Sequence, residues 1–417
     1  MPLKITDVKA ATVEGNYQWT FAKVYAGAQS GIGEAFPAPQ LEGVIREYAP
    51  LVIGEDAFDV NRIMDKLRWA SVPSGTFGAN YHAFSAIEIA ILDLLGRHLN
   101  LPVYALLGGK FRDKVRIYAD AHAGKALESM SRVLLPTVPL WMRELGVAPP
   151  EAVEREPVHG RATPMAYAEE YNSRAYGARA KELKGEGFTA VKFDLDIPTP
   201  YTTRHSQETG SLSNQETGYL AGLVGEVREA VGEETDILFD LHWKYDVNNS
   251  VRLAKSIEPY GVMWLEDPVP PENVSLLREV TSSTTTPIAS GENLYGRYQF
   301  EQLLGTGIRV ATPDAPKAGG LLESRFIAQM AAMKEITISP HNISSPIGTV
   351  AQAHLAASIP NFGVLEFHGH DVPLWYKLSK KKVIRDGFIQ LDDEPGLGVE
   401  LDEAVAARYS LDGEFDL

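Results

Sequence analysis

Leu238-Phe239-Asp240-Leu241-His242, Trp264-Leu265-Glu266-Asp267-Pro268 and Ser290-Gly291-Glu292-Asn293 fall at even intervals along the chain. Each is a short apolar run closed by an acid, and the acids stand 26 residues apart, then 26 again. That interval accommodates one strand, one helix and their loops, the repeat of a parallel α/β fold. Working outward, the rhythm covers about 115–368. Apolar runs recur at Val115–Ala119, Thr189–Phe193, Asp236–Phe239, Val262–Leu265, Pro287–Ala289, Ile308–Ala311, Ile336–Ile338 and Gly363–Leu365. Helix-patterned segments lie between most of them, Ser250–Glu258 and Leu321–Met333 among them. Eight strands alternating with helices predict a (β/α)8 barrel or a close variant, whose strands bring their C-terminal ends to one rim.

The flanks differ in texture. Lys4–Val13 and Thr20–Tyr25 alternate like antiparallel strands, and Asp59–Ala70 and Ala83–Leu99 carry helical periodicity. Residues 1–113 therefore read as a small α+β domain, and 114–369 as the barrel. Residues 370–417, with Gly387-Phe388-Ile389-Gln390-Leu391 and Pro395-Gly396-Leu397-Gly398, are too short to stand alone and are expected to return to the first domain. Two insertions, 124 to about 163 and 197–214, follow the first and second barrel strands. That places them on the rim where barrels keep their active sites, as lids, substrate contacts or simple surface loops.

Composition narrows the function. The 417 residues are 44% hydrophobic, which excludes a disordered chain. Lys and Arg number 39 against 55 Asp and Glu, a net charge of -16 that argues against nucleic acid as a partner. The absence of cysteine excludes disulfides, thiolate metal sites and a cysteine nucleophile. The first residues lack a signal peptide's apolar core, and the apolar run Ile87–Leu95 is broken by Glu88 and Asp93. A cytoplasmic protein with no membrane segment is the expectation.

Carboxylates one βα unit apart converge on one rim, so Asp240, Glu266 and Glu292 are brought together. Each alone reads more readily as a helix cap or a surface charge. Three in register repel one another unless a cation lies among them, and an all-oxygen set suits Mg2+. The register continues with Asp314, His341 and Glu366 at the ends of the sixth, seventh and eighth runs. An Asp beside a His can fix the imidazole tautomer and raise its basicity, making a general base of His341. His242, two residues after Asp240, is expected on the same side of its strand, as a second acid/base group. Lys192 and Asp194 form another same-side pair, with Lys192 available to a substrate anion or to a salt bridge.

With these residues in place, the chain resembles the enolase superfamily, in its mandelate racemase-like branch. The resemblance spans nearly the whole length. It rests on Ala83-Phe84-Ser85-Ala86-Ile87-Glu88-Ile89-Ala90-Ile91-Leu92-Asp93-Leu94-Leu95-Gly96-Arg97, on Leu106-Leu107-Gly108-Gly109 and on Trp264-Leu265-Glu266-Asp267-Pro268. Gly319-Gly320 after Asp314 and Pro395-Gly396-Leu397-Gly398 add to it. It implies a modified (β/α)7β TIM barrel under an α+β capping domain that the N-terminus and the C-terminal segment form together. It also implies Mg2+ on Asp240, Glu266 and Glu292, proton abstraction next to a carboxylate, and an ene-diolate stabilised by the metal.

Lys192-Phe193-Asp194 stands where racemases of this branch usually show Lys-x-Lys, so a two-sided Lys/His racemase is not expected. Asp240-x-His242 with the Asp314/His341 dyad resembles acid-sugar dehydratases of the galactonate and gluconate type. On that resemblance His341 removes the C2 proton of an aldonate, His242 protonates the departing C3 hydroxyl, and a 2-keto-3-deoxy acid results. Glu366 and Lys192 are implied near the substrate carboxylate, and Asp194, His122, His368, Trp375 and Tyr201 as substrate contacts. Mannonate dehydratases share Asp-x-His and a long loop after the second strand, here with Tyr201, but generally lack the dyad's Asp. An epimerase and a non-catalytic sugar-acid binding protein remain alternatives, and a homo-oligomer of even order is implied.

Overall fold

The computed structural model describes residues 2–123, 138–147 and 171–417, apart from 412 and 414. Most of the insertion expected at 124–163 lies outside the described residues.

Strands β1 (Asp7–Glu14), β2 (Gln18–Ala26) and β3 (Gln29–Ala35) form an antiparallel meander. Helices α1 (Leu41–Val52), α2 (Val60–Ser71) and α3 (Ala79–Leu99) follow. Helix α3 is apolar on nearly all sides and buried from His82 to Gly96, as suits a helix enclosed by other elements. It runs so close to β3 that a Cβ on Gly31 would sit 2.2 Å from the Ala90 carbonyl oxygen. Only glycine fits there.

The barrel strands are β4 (Lys114–Ala121), β5 (Ala190–Asp194), β6 (Asp236–Asp240), β7 (Trp264–Glu266), β8 (Ile288–Ser290), β9 (Val310–Ala311), β10 (Thr337–Ile338) and β11 (Leu365–Phe367). Ladders join them in parallel from β4 to β10, and β11 pairs with the other side of β4. Between β10 and β11 the barrel closes through isolated hydrogen bonds, Ile338 N to Asn361 O at 2.8 Å and Gly363 N to Ile338 O at 2.9 Å. Among the described residues, helices return to the barrel after every strand but β11, the (β/α)7β pattern.

Alternation sorts the strand residues. Tyr118, Ala190, Leu238, Trp264, Ala289, Val310 and Val364 pack together inside the barrel, and the residues beside them on each strand face the helices. Two residues past these interior positions come Asp120, Lys192, Asp240, Glu266 and Glu366. Their inward direction at the rim follows from that parity.

The C-terminal segment divides its contacts. Strands β12 (Ile384–Arg385) and β13 (Phe388–Gln390) form a hairpin, and β13 pairs antiparallel with Lys114–Arg116 of β4. That part was expected on the first domain; it joins the barrel because β4 begins pairing with β5 only at Ala119 and leaves its first residues open. The remainder reaches the meander, with Glu14 N donating to Tyr409 O at 2.8 Å and Leu411 N to Thr12 O at 3.0 Å.

Buried carboxylates fasten the N-terminal domain to the rest. Glu34 accepts from Ser345 N, Ser345 Oγ and Gly348 N at the start of the helix Pro346–Ser358. Glu88 accepts from Leu321 N at 2.8 Å and Leu322 N at 2.9 Å, opening the helix Leu321–Ala332. Asp93 accepts from Ile32 N and from Leu397 N of the C-terminal segment. The first two thus occupy helix N-termini that would otherwise bury unpaired N–H groups. No helix of the described residues is long and apolar enough to cross a membrane.

Burial pushes the Glu34 and Glu88 carboxyls up to about 7, against the pull of their N–H donors. A carboxyl raised in the folded state stabilises it fully below its unfolded value, near 4.5, and loses that contribution as pH rises through 7. The stability advantage of wild type over Glu88→Gln should therefore shrink between pH 5 and pH 8, by as much as about 3 kcal/mol. Urea unfolding of both proteins across that range measures it, and a pH-independent difference would contradict it.

Candidate active site

Asp240 and Glu266 face each other as the last ladder pair of β6 and β7. Glu292 follows β8 by two residues, after Gly291 at φ +139, where a Cβ would meet Phe300 and the Thr312 nitrogen at 3.0–3.1 Å. One carboxylate oxygen from each of the three lies within 4.8 Å of the others, and all three side chains are buried. Burial raises Asp240 and Glu266, and each is raised further by its fellow carboxylates. Burial would also raise Glu292, but His341, His242, Lys192 and Lys317 draw it down to about 2. Glu266 Oε1 is buried without a hydrogen-bond partner. Such a set, oxygen only and with an unused oxygen, fits a hard divalent cation.

Lys192 lies at the base of this group, 2% exposed. Its Nζ is 2.8 Å from Glu366 Oε1, 3.4 Å from Asp240, 3.5 Å from Glu266 and 3.9 Å from Asp120. Burial works against its charge, but Glu266 and Glu366 raise it well above the usual lysine range. The Trp264 indole N–H holds Glu266 Oε2 at 3.1 Å.

His341 Nδ1 is 2.8 Å from Asp314 Oδ2, and its Nε2 is 3.6 Å from Glu292 and 3.8 Å from Glu366. The dyad expected from sequence is thus formed, with Nε2 turned toward the carboxylate group. Burial opposes a charge on His341, yet Glu366, Glu292 and Asp314 raise it to about 10.

His242 reaches the rim by a different route from the one expected. Strand β6 ends at Asp240, and His242 and Trp243 both have left-handed backbone, φ 37 and φ 50. Strand alternation therefore does not aim the ring. A turn does, held by His242 N donating to Asp240 Oδ1 at 2.8 Å and Trp243 N to Asp267 O at 2.7 Å. Its Nδ1 lies 3.2 Å from Asp196 and within 4 Å of Asp194 and Asp240. Asp194 is also 3.5 Å from His122 Nδ1, so these four residues form one cluster beside the triad.

Three other residues expected as substrate contacts have these surroundings. His368 is buried, with Nδ1 on Asn342 O at 3.1 Å and Nε2 on Asn16 Oδ1 at 3.4 Å, tying the barrel to the β1–β2 turn. Trp375 donates its indole N–H to Ser344 O and packs on Phe367, so its ring is a wall of the core. Tyr201 is 45% exposed and rests against Tyr219.

Known proteins match this chain over both parts. Residues 8–108 match the mandelate racemase/muconate lactonizing enzyme N-terminal domain, and residues 175–405 match the enolase C-terminal domain-like family. The chain belongs to the mandelate racemase/muconate lactonizing enzyme family. Relatives within it include a D-xylonate dehydratase of Haloferax volcanii, 36% identical over 99% of this chain and 90% of that protein. A D-mannonate dehydratase of Caulobacter vibrioides is 27% identical over 98% and 95%. A solved mandelate racemase/muconate lactonizing enzyme-like protein from Rubrobacter xylanophilus is 37% identical, with TM-score 0.84 and 99% of each chain covered.

Sequence reading passed over Asp120 and Asp196. Asp120 stands two residues before His122, and Asp196 two after Asp194, so the same alternate-residue spacing could have found both. For this family member the electrostatics make Lys192 the anchor of its acids. Removing one partner of a buried charge group strands the others, so Lys192→Met should lower stability by about 3–5 kcal/mol. Urea unfolding in chelator measures the loss, and a change near zero would contradict the assignment.

Proposed function

We propose that this chain is a Mg2+-dependent dehydratase that converts an aldonate into the 2-keto-3-deoxy acid. The observation that carries the reading is the pair of histidines flanking the acid triad. His242 follows β6 and His341 follows β10, four strands on in an eight-stranded barrel, so they stand across the mouth from each other. The names of the D-xylonate, D-gluconate and D-galactonate dehydratases among its relatives support the class of reaction.

Asp240, Glu266 and Glu292 would hold the ion. Bound Mg2+ would supply the positive charge that offsets the triad, eases the field raising His341 and stabilises negative charge developing at the substrate carboxylate. Asp314 takes the Nδ1 proton of His341 as a hydrogen bond, leaving Nε2 to remove the C2 proton. Electrons from the C2–H bond pass into the substrate carboxylate to give an ene-diolate, and their return forms the C2–C3 double bond as the C3–O bond breaks. His242, poised on Asp196, gives its proton to the leaving hydroxyl, which departs as water. The enol then tautomerises to the ketone. Glu366 and Lys192 act at the carboxylate end of the substrate, and His122 and Asp194 meet hydroxyls of the sugar chain. In this reading residues 1–113, with the part of 370–417 that reaches the meander, cap the barrel of 114–369 and select the sugar.

Incubating the protein and Mg2+ with D-xylonate, D-gluconate, D-galactonate and D-mannonate should yield a 2-keto-3-deoxy acid from at least one. No such product from any would sink the proposal. A C2-inverted acid would mark an epimerase, and binding without C2 exchange in D2O a binding protein. His341→Asn should abolish that exchange and slow turnover by about 10²–10⁴-fold. His242→Asn should retain exchange and lose dehydration, which NMR in D2O distinguishes.

A further inference from the structure

Glu292 is the member of the triad that no strand ladder fixes. Asp240 and Glu266 end paired strands, whereas β8 stops at Ser290 and the chain turns at Gly291 before Glu292. Something else must hold its carboxylate.

Asn293 Nδ2 donates to Glu292 Oε1 at 3.1 Å, and Lys317 Nζ donates to Asn293 Oδ1 at 2.7 Å. Lys317 sits on the short helix Ala315–Ala318, just after Asp314, and is 4% exposed. Its ammonium lies 4.1 Å over the Phe36 ring and 5.9 Å over Tyr295, faces that favour a cation and cannot accept its proton. Phe36 comes from the N-terminal domain, where its N–H donates to Pro316 O at 3.1 Å. The same ring packs on His341, with centroids 5.8 Å apart.

The order of these bonds is dictated by chemistry. An ammonium only donates, so the Asn293 amide must turn its oxygen to Lys317 and its NH2 to Glu292. A reversed amide would set oxygen against carboxylate. With Oε1 taken, Glu292 Oε2 is the oxygen that faces His341, at 3.6 Å.

We propose that Lys317 and Asn293 are positioning residues that fix the rotamer of Glu292 and so set the affinity of the triad for its cation. The proposal rests on the reading that the triad holds Mg2+. It gives Lys317 no contact with substrate and no proton to transfer.

Titration calorimetry of chelator-stripped protein with Mg2+ tests it. Wild type should bind one ion, and Lys317→Met and Asn293→Ala should each raise Kd about 10–100-fold, as loss of a hydrogen bond to a ligating carboxylate does. The double variant should bind no more weakly than the weaker single, because the two residues act as one chain. Mn2+ in place of Mg2+ should give an altered zero-field splitting by electron paramagnetic resonance in both variants, a change that lost packing alone would not produce. Wild-type Kd and spectrum in both variants would overturn the proposal. Failure of the wild type itself to bind Mg2+ would instead overturn the reading of the triad, and this inference with it. Should Lys317→Met fail to fold, the half-buried Asn293→Ala decides the matter alone.

Discussion

Like charges brought together inside the barrel mouth are the constraint on which the rest of the molecule depends. Asp240, Glu266, Glu292 and Glu366 are all buried within reach of one another, and burial makes each of them costly as an anion. Lys192 is in direct contact with three of the four. The interior side chains beneath, Tyr118 and Trp264 among them, leave the acids no room to relax downward. They can separate only into the mouth, where the histidines and a divalent cation would meet them.

The N-terminal domain answers a second electrostatic demand. Two barrel helices begin in the interior, and Glu34 and Glu88 supply acceptors to their first N–H groups. Asp93 does the same for Leu397, so one helix and one strand of the small domain hold the barrel and the C-terminal segment together. The cap is thereby fixed by directional bonds as well as by apolar burial. Rings such as Phe36 are placed against His341 with little freedom to shift.

Much of this was legible in the sequence, for one reason. Periodicity reports direction: a 26-residue interval and an alternate-residue step together specify which acids turn inward at one rim, so Asp240, Glu266, Glu292 and the Asp314/His341 pair could be read directly. What escaped depends on contacts remote in the chain. Glu88 and Asp93 looked like charges interrupting an apolar run, and their helix and strand partners lie more than 200 residues away or on a neighbouring strand. Lys192 read as a partner for a substrate anion or for a single salt bridge, because nothing local shows that four acids surround it. Trp375 and His368 lie near the rim in sequence, yet their polar atoms are taken by backbone and by Asn16. Backbone handedness at His242 and Trp243 is also absent from residue type, since neither residue requires positive φ as glycine often does.

That handedness separates two things the strand would otherwise have joined. Asp240 is fixed by its ladder to β7, while His242 is carried on a turn braced by Lys244 and Tyr245, whose side chains donate to the carbonyls of Asp196 and Leu195. Altering the brace would swing the imidazole and release the His242 N–H that Asp240 Oδ1 accepts, while the ladder to β7 still holds the Asp240 backbone. Within one scaffold, then, the position of the acid can be retuned for a differently oriented leaving group without moving the strand that carries the carboxylate, and the residues through which such divergence would run are 241–246 rather than the strand itself.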